Sequence, residues 1–207
     1  MILLNFDTAL NKTYVALSKD DELLTSKIVE NTEDNYHSAF LLSTIKEVLK
    51  ENNLSPKDVN LIGVNVGPGS FTGIRAALTV AKVMAQELGI KIVPVESLKI
   101  LSMINNTNKE PIVVMDARRS MAYVYKNDEI KLLNLEDTKK VIEEKAYQII
   151  SDKSIAEHLK LNSIVYENDN YDLGKILNKL AYENRDKAIL PNELKALYIQ
   201  PPPVFGK

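Results

Sequence analysis

Apolar residues along this chain fall into short runs separated by polar turns, and the period of the runs changes in a fixed order. Residues 2–8 form a nearly continuous apolar run, the pattern of a buried strand. Strands follow at 13–19 and 23–30, separated by polar turns at 9–12 and 20–22. From about residue 35 to residue 50 the spacing becomes helical, with Leu41, Ile45, Val48 and Leu49 on one face. Ser55-Pro56-Lys57-Asp58 places serine at an N-cap and proline at the first helical position, which predicts one short turn. A strand at 61–66 runs into the loop Gly67-Pro68-Gly69-Ser70-Phe71-Thr72-Gly73-Ile74-Arg75. A helix at 72–88, a stop at Gly89, a strand at 91–95 and a helix at 97–104 complete the order βββαβαβα.

Residues 105–110 are polar and irregular, and mark a boundary. Beyond it the pattern returns. Strands are expected at 111–116, 121–126 and 129–135, with helices at 137–145, 154–160 and 171–184. Short strands fit at 147–151 and 163–167. The second half therefore repeats βββαβαβα in element order, though not in residues. A duplicated α/β unit of this order is the signature of the actin-like ATPase (ASKHA) architecture, in which two half-domains face each other across a cleft. The expected division is 1–105 and 106–207, both halves near-minimal and the second reduced, with its tail packing back on the first.

Composition narrows the function classes. The chain has 207 residues, 45% of them hydrophobic, enough to give each half a core. Its 26 basic and 28 acidic residues leave a net charge of −2, so no broad nucleic-acid-binding surface is expected. Cysteine is absent, which removes disulfides, thiol nucleophiles and thiolate metal sites and fits a reducing compartment. The first residues lack a basic n-region, and no apolar run approaches the roughly 20 residues of a membrane span. The expected location is the cytoplasm.

The glycine-rich loop allows two readings. Gly67, Gly69 and Gly73 permit positive φ and close backbone approach, and the amides of the following helix favour anions, so Gly67, Gly69, Ser70, Thr72 and Gly73 could cradle a phosphate or carboxylate. Alternatively the loop is a tight strand–helix connection capped by Ser70 or Thr72. It is neither a P-loop nor a dinucleotide fingerprint, since the P-loop lysine and the third glycine are missing.

Two hairpins carry the remaining candidate chemistry. Active actin-like ATPases hold phosphates on glycine-containing hairpins that begin each half. Here these read Asp7-Thr8-Ala9-Leu10-Asn11-Lys12 and Asp116-Ala117-Arg118-Arg119-Ser120-Met121, and neither contains glycine. Asp7 is a metal–phosphate contact or a strand-end turn residue. Arg118 and Arg119 are anion contacts or a solvated turn in which an Asp–Arg pair contributes under ~1 kcal/mol. The two histidines, His37 and His158, are too few and too far apart for an imidazole cluster. No catalytic residue and no metal ligand set is assigned.

The helix at 72–88 is broadly apolar. Ile74, Ala77, Leu78, Ala81, Ala85 and Leu88 make one stripe, and Ala76, Val80, Val83 and Met84 widen it to an arc of roughly 200°. Either the helix is buried between layers or a second face meets a partner.

The loop, together with Leu4-Asn5-Phe6-Asp7-Thr8, His37-Ser38, Pro94-Val95-Glu96-Ser97-Leu98, Asp116-Ala117-Arg118-Arg119 with Tyr123, and Tyr198-Ile199-Gln200-Pro201-Pro202, resembles the hallmark blocks of the TsaB (YeaZ) family in family order across nearly the whole chain. Asn5 departs from the family pattern, where a small or apolar residue is usual. The resemblance implies a non-catalytic subunit in synthesis of threonylcarbamoyladenosine at the tRNA adenosine beside the anticodon. It implies pairing with a TsaD-like catalytic subunit, joined by a TsaE-like ATPase, or with a second copy of itself as a homodimer. It further implies that tRNA is met through the complex, and that nucleotide, if any, sits at the partner interface. In such proteins the two N-terminal helices form the contact, here Tyr36, Phe40, Phe71, Arg75, Ala76, Thr79, Val80 and Val83. The stretch Val95-Glu96-Ser97-Leu98-Lys99-Ile100 lacks the paired histidines with which TsaD holds its metal. The alternatives are a self-standing actin-like ATPase or small-molecule kinase, against which the missing hairpin glycines argue, and a metallopeptidase, for which no ligand set is present.

Overall fold

The computed structural model describes residues 1–30, 39–168 and 171–199. They form two compact units. The first contains residues 1–30, 39–100 and 172–197, the second residues 101–168, 171 and 198–199.

The first unit is built on a five-stranded sheet ordered β3-β2-β1-β4-β5. Its strands are β1 (Ile2–Asp7), β2 (Thr13–Lys19), β3 (Glu22–Val29), β4 (Leu61–Gly67) and β5 (Lys91–Glu96). β1 pairs antiparallel with β2 and parallel with β4, and β4 pairs parallel with β5. Helices cover both faces, which is why β1 reads as an almost unbroken apolar run. Leu4 and Phe6 of β1, Val15 and Leu17 of β2, and Ile62 and Val64 of β4 share one core with α1 (Leu41–Glu51) and α2 (Phe71–Leu88). The alternate residues meet α6 (Leu173–Glu183), which contacts all five strands. The expected 35–50 helix begins at Leu41, Ala39 and Phe40 form a turn ahead of it, and 35–38, with Tyr36 and His37, lie outside the described residues. The expected turn at Ser55 is a single 3₁₀ turn, Pro56–Asp58, closed by Ser55 and Asp58 in a capping box.

The second unit repeats the plan. Its sheet is ordered β10-β9-β6-β7-β8, with β6 (Pro111–Arg118), β7 (Met121–Lys126), β8 (Glu129–Asn134), β9 (Gln148–Ser151) and β10 (Ile164–Val165). β6 occupies the position of β1, antiparallel to β7 and parallel to β9. α4 (Leu135–Glu143) and α5 (Lys153–Leu159) supply Ile142 and Ile155 to the core beside Ile112, Val114, Ala122 and Val124. Asn134 and Asp152 cap these helices through side-chain oxygens that accept from Asp137 N and Ile155 N. α3 (Ser97–Ser102) spans the division between the units.

The division at 105/106 needs correction at its far end. The expectation returned only a tail to the first half, whereas residues 172–197 belong to the first unit. Packing explains this. Leu173, Leu177, Leu180 and Ala181 of α6 are buried, and the first sheet is shaped to receive them. A Cβ on Gly63 of β4 would lie 2.0 Å from Asn5 Oδ1 and 2.6 Å from the Ala181 methyl. Asn5, the departure in β1, donates from Nδ2 to Asn178 Oδ1 of α6 at 2.6 Å. Ser26 Oγ of β3 donates to Asp172 Oδ1, which also caps the helix. Beyond α6, Ile189 exchanges two backbone hydrogen bonds with Ile92 along the outer edge of β5, and Leu197 N–H donates to Val66 O. The strap thus covers a sheet edge that would otherwise present open backbone groups.

Candidate functional site

At the carboxyl end of β1 the chain turns inward. Asp7 is 1% exposed, and Thr8, Ala9, Leu10 and Lys12 are buried with it. Asp7 Oδ1 accepts from Ala9 N at 2.6 Å. Burial pushes the Asp7 carboxyl up to about 6, against the opposing pull of the Asn65 amide and the Ala9 and Leu10 N–H groups. Asp7 Oδ2 and Asn65 Nδ2 are both buried without a hydrogen-bond partner of good geometry among the described residues. Asn65 Oδ1 accepts from Gly67 N at 2.8 Å and from Ser97 Oγ at 2.9 Å. Asn65 and Ser97 escaped the sequence reading. Their signal was a lone amide inside the apolar run of β4 and a serine directly after β5.

The glycine-rich loop is docked on this hairpin. Ser70 N donates to Ala9 O at 2.8 Å, and Thr8 Oγ1 donates to Gly73 O at 2.6 Å. Ser70 Oγ accepts from Gly73 N at 3.2 Å as the N-cap of α2. The amides of Gly67, Ser70 and Gly73 are thus committed to acceptors within the fold. Three glycines have specific reasons. Gly67 holds φ +102°. Cβ atoms on Gly69 and Gly73 would meet Ala9 O at 2.4 Å and Thr8 O at 1.7 Å. Thr72 is exposed on the first turn of α2.

α2 has two distinct faces. Ile74, Ala77, Leu78, Ala81 and Ala85 are buried, while Phe71 and Val83 are 40% and 58% exposed. Phe71, Arg75, Thr79 and Val83 follow one another at i, i+4 along the outer face. The Arg75 guanidinium carbon lies 4.2 Å from the centroid of the Phe71 ring, a cation–π contact that orients both side chains. Ala76 and Val80 are half-buried, and Val80 packs on the core of the unit. On α1, Phe40 is half-buried at the helix start, and Leu42 is 62% exposed, an interface candidate the sequence reading missed. Leu42 lies one residue past the core position Leu41, so its outward direction could be read only from the helix phase.

In the second unit, Arg118 and Arg119 lie at the exposed tip of the β6–β7 hairpin. Arg118, Arg119 and Ser120 all have positive φ, at 65°, 53° and 56°. The carboxylate of Asp116 stabilises this turn, accepting from Arg118 N at 2.7 Å and from Ser154 Oγ at 3.2 Å. Asp116 N in turn donates to Asp152, whose carboxyl is raised by burial. The Arg118 side chain is 86% exposed and its ion pair with Asp116 spans 3.6 Å, so the pair holds little energy. Among the described residues no group of three His, Cys, Asp or Glu is placed to hold a metal ion. No described helix is long and apolar enough to cross a membrane.

Comparison with known proteins agrees with this architecture. A family model described as TsaD, tRNA N6-adenosine threonylcarbamoyltransferase, matches residues 26–181. The chain is 32% identical over 133 residues to the tRNA threonylcarbamoyladenosine biosynthesis protein TsaB of Bacillus subtilis, with 61% of this chain and 57% of that protein aligned. It therefore spans little more than half the length of that relative. TsaB of Buchnera aphidicola subsp. Acyrthosiphon pisum is 26% identical over 223 residues, covering 96% of this chain and 98% of that one. The solved structure of YeaZ from Pseudomonas aeruginosa superposes with a TM-score of 0.74 at 21% identity over 96% of this chain and 99% of that one, which establishes the shared actin-like α/β fold. The sequence blocks, the duplicated sheets and these matches lead to one assignment: the chain belongs to the TsaD family of tRNA N6-adenosine threonylcarbamoyltransferase proteins, on its TsaB (YeaZ) branch.

Proposed function

We propose that this chain is a non-catalytic subunit of the machinery that makes threonylcarbamoyladenosine in tRNA, and that it acts by presenting the outer face of α2 to a TsaD-like catalytic subunit. The observation that carries this reading is the exposure of Phe71 and Val83 on the outer face of α2 and of Leu42 on α1, helices whose other faces already fill the core. A patch of this kind on a structured helix marks a contact surface. The geometry also disfavours chemistry at the first hairpin. Asp7 is enclosed, and the amides of Gly67, Ser70 and Gly73 are bonded within the protein. In this reading Gly67, Gly69, Ser70 and Gly73 build the launch of α2, and Asp7 serves the fold. A TsaE-like ATPase joins the pair, nucleotide binds only where the partner completes a site, tRNA is met through the complex, and the work is done in the cytoplasm. The same face would support a homodimer when the catalytic subunit is absent.

The test is co-purification with the TsaD-like subunit of the same organism, followed by light scattering. A one-to-one complex at micromolar concentration is expected. Val83→Arg should abolish it while moving the thermal midpoint by no more than about 2 °C, since Val83 is exposed. Failure of the wild-type chains to associate would overturn the proposal.

A further inference from the structure

A second feature of the first unit lies at the other end of α2. A pocket of about 530 Å³ opens between the last turns of that helix and the strap beyond α6. Its walls are Ala85, Ile90, Leu190 and Pro191, and its charged residues are Lys82 and Lys91, with no acid in the lining. Leu190 is 51% exposed, a large apolar side chain left open at a concave surface. Glu193, the nearest acid in the strap sequence, is turned back to accept from Leu190 N at 2.8 Å. Among the described residues neither Lys82 nor Lys91 forms an ion pair, although the chain carries more acids than bases.

A volume of this size suits a small molecule, and an apolar wall with a few convergent charges is the usual make-up of a ligand site. From the apolar wall, the two unpaired ammonium groups and the lack of a competing carboxylate, we infer that this pocket binds a small amphipathic anion, an aliphatic carboxylate with its chain on Leu190, Pro191 and Ile90 and its head between Lys82 and Lys91. Charge complementarity selects the head group and apolar burial holds the body. The site lies at the C-terminal end of α2, and its occupancy is read on the isolated chain, without the partner.

Octanoate is a suitable probe, titrated into the full-length chain and followed by backbone amide NMR. Saturable shifts confined to the amides of Lys82, Ala85, Gln86, Gly89, Ile90, Lys91, Leu190 and Asn192 are expected. Octanol, which has the same chain and no charge, should bind about tenfold more weakly or not at all, and Lys82→Glu combined with Lys91→Glu should cost octanoate at least about tenfold. Lys50→Glu combined with Lys57→Glu, both exposed, makes the same change of net charge and should leave binding unchanged. Absence of saturable shifts at millimolar octanoate, equal binding of octanol, or undiminished binding by the correctly folded double variant would each overturn the inference.

Discussion

A methyl group on Gly73 would sit 1.7 Å from the carbonyl oxygen of Thr8, and one on Gly89 would touch nothing within 4 Å. These two glycines therefore answer to different physics. Gly73→Ala must push the hairpin and the start of α2 apart, and should lower the stability of the first unit by more than about 3 kcal/mol. Gly89→Ala meets only the strain of φ +65° at the helix C-cap and should cost about 1 kcal/mol. Thermal melts of the two variants check the contrast. Asp7 makes a second residue-scale prediction. Its carboxyl, ordinarily near 3.8, stands at about 6 in the folded chain, so the folded state holds the proton more tightly than the unfolded chain. The stabilisation is fully present below 3.8 and is lost as pH rises through about 6. Asp7→Asn, which keeps an acceptor for Ala9 N, should flatten the pH dependence of the melting midpoint across that window and raise the midpoint at pH 8. The sequence marked Asp7 and the glycines as special because residue type and spacing are visible there. It could not show that the contacting carbonyls belong to Thr8 and Ala9, which are about 60 residues away along the chain.

Among the elements, α2 was the most legible and α6 the least. The broad apolar arc of α2 already implied two buried surfaces, and the structure assigns Ile74, Ala77 and Ala81 to the core and Phe71 and Val83 to the outside. Val80, expected in the partner contact, is half-buried and packs against the core. Val80→Arg would consequently confound folding with association, whereas Val83→Arg separates them; side-by-side melts should show a loss of several degrees for the first and little for the second. α6 has an apolar stripe that either sheet could bury, so its pattern carried no address. The address lies in pairs that periodicity does not encode, the 2.6 Å bond between Asn5 and Asn178 and the contact of Gly63 with Ala181. Asn5→Leu would leave Asn178 without that partner in a buried interface and should destabilise the first unit by about 1–3 kcal/mol, measurable as an earlier melt.

For the molecule as a whole, the duplication βββαβαβα was readable from the order of periods, and both sheets keep one strand order. The units themselves are not contiguous halves, because 172–197 completes the first. This discontinuity sets the order in which the chain can mature. During synthesis the five strands of the first sheet emerge early, but the face that receives α6 stays bare until residue 183 has left the ribosome, and the β5 edge until Ile189 has followed. All the strands of the second sheet are available before that point. The later-encoded sheet is therefore free to close first, and the sheet that begins the chain is covered after it. A nascent chain arrested shortly after residue 171 holds every strand of the protein and still exposes an unfinished sheet.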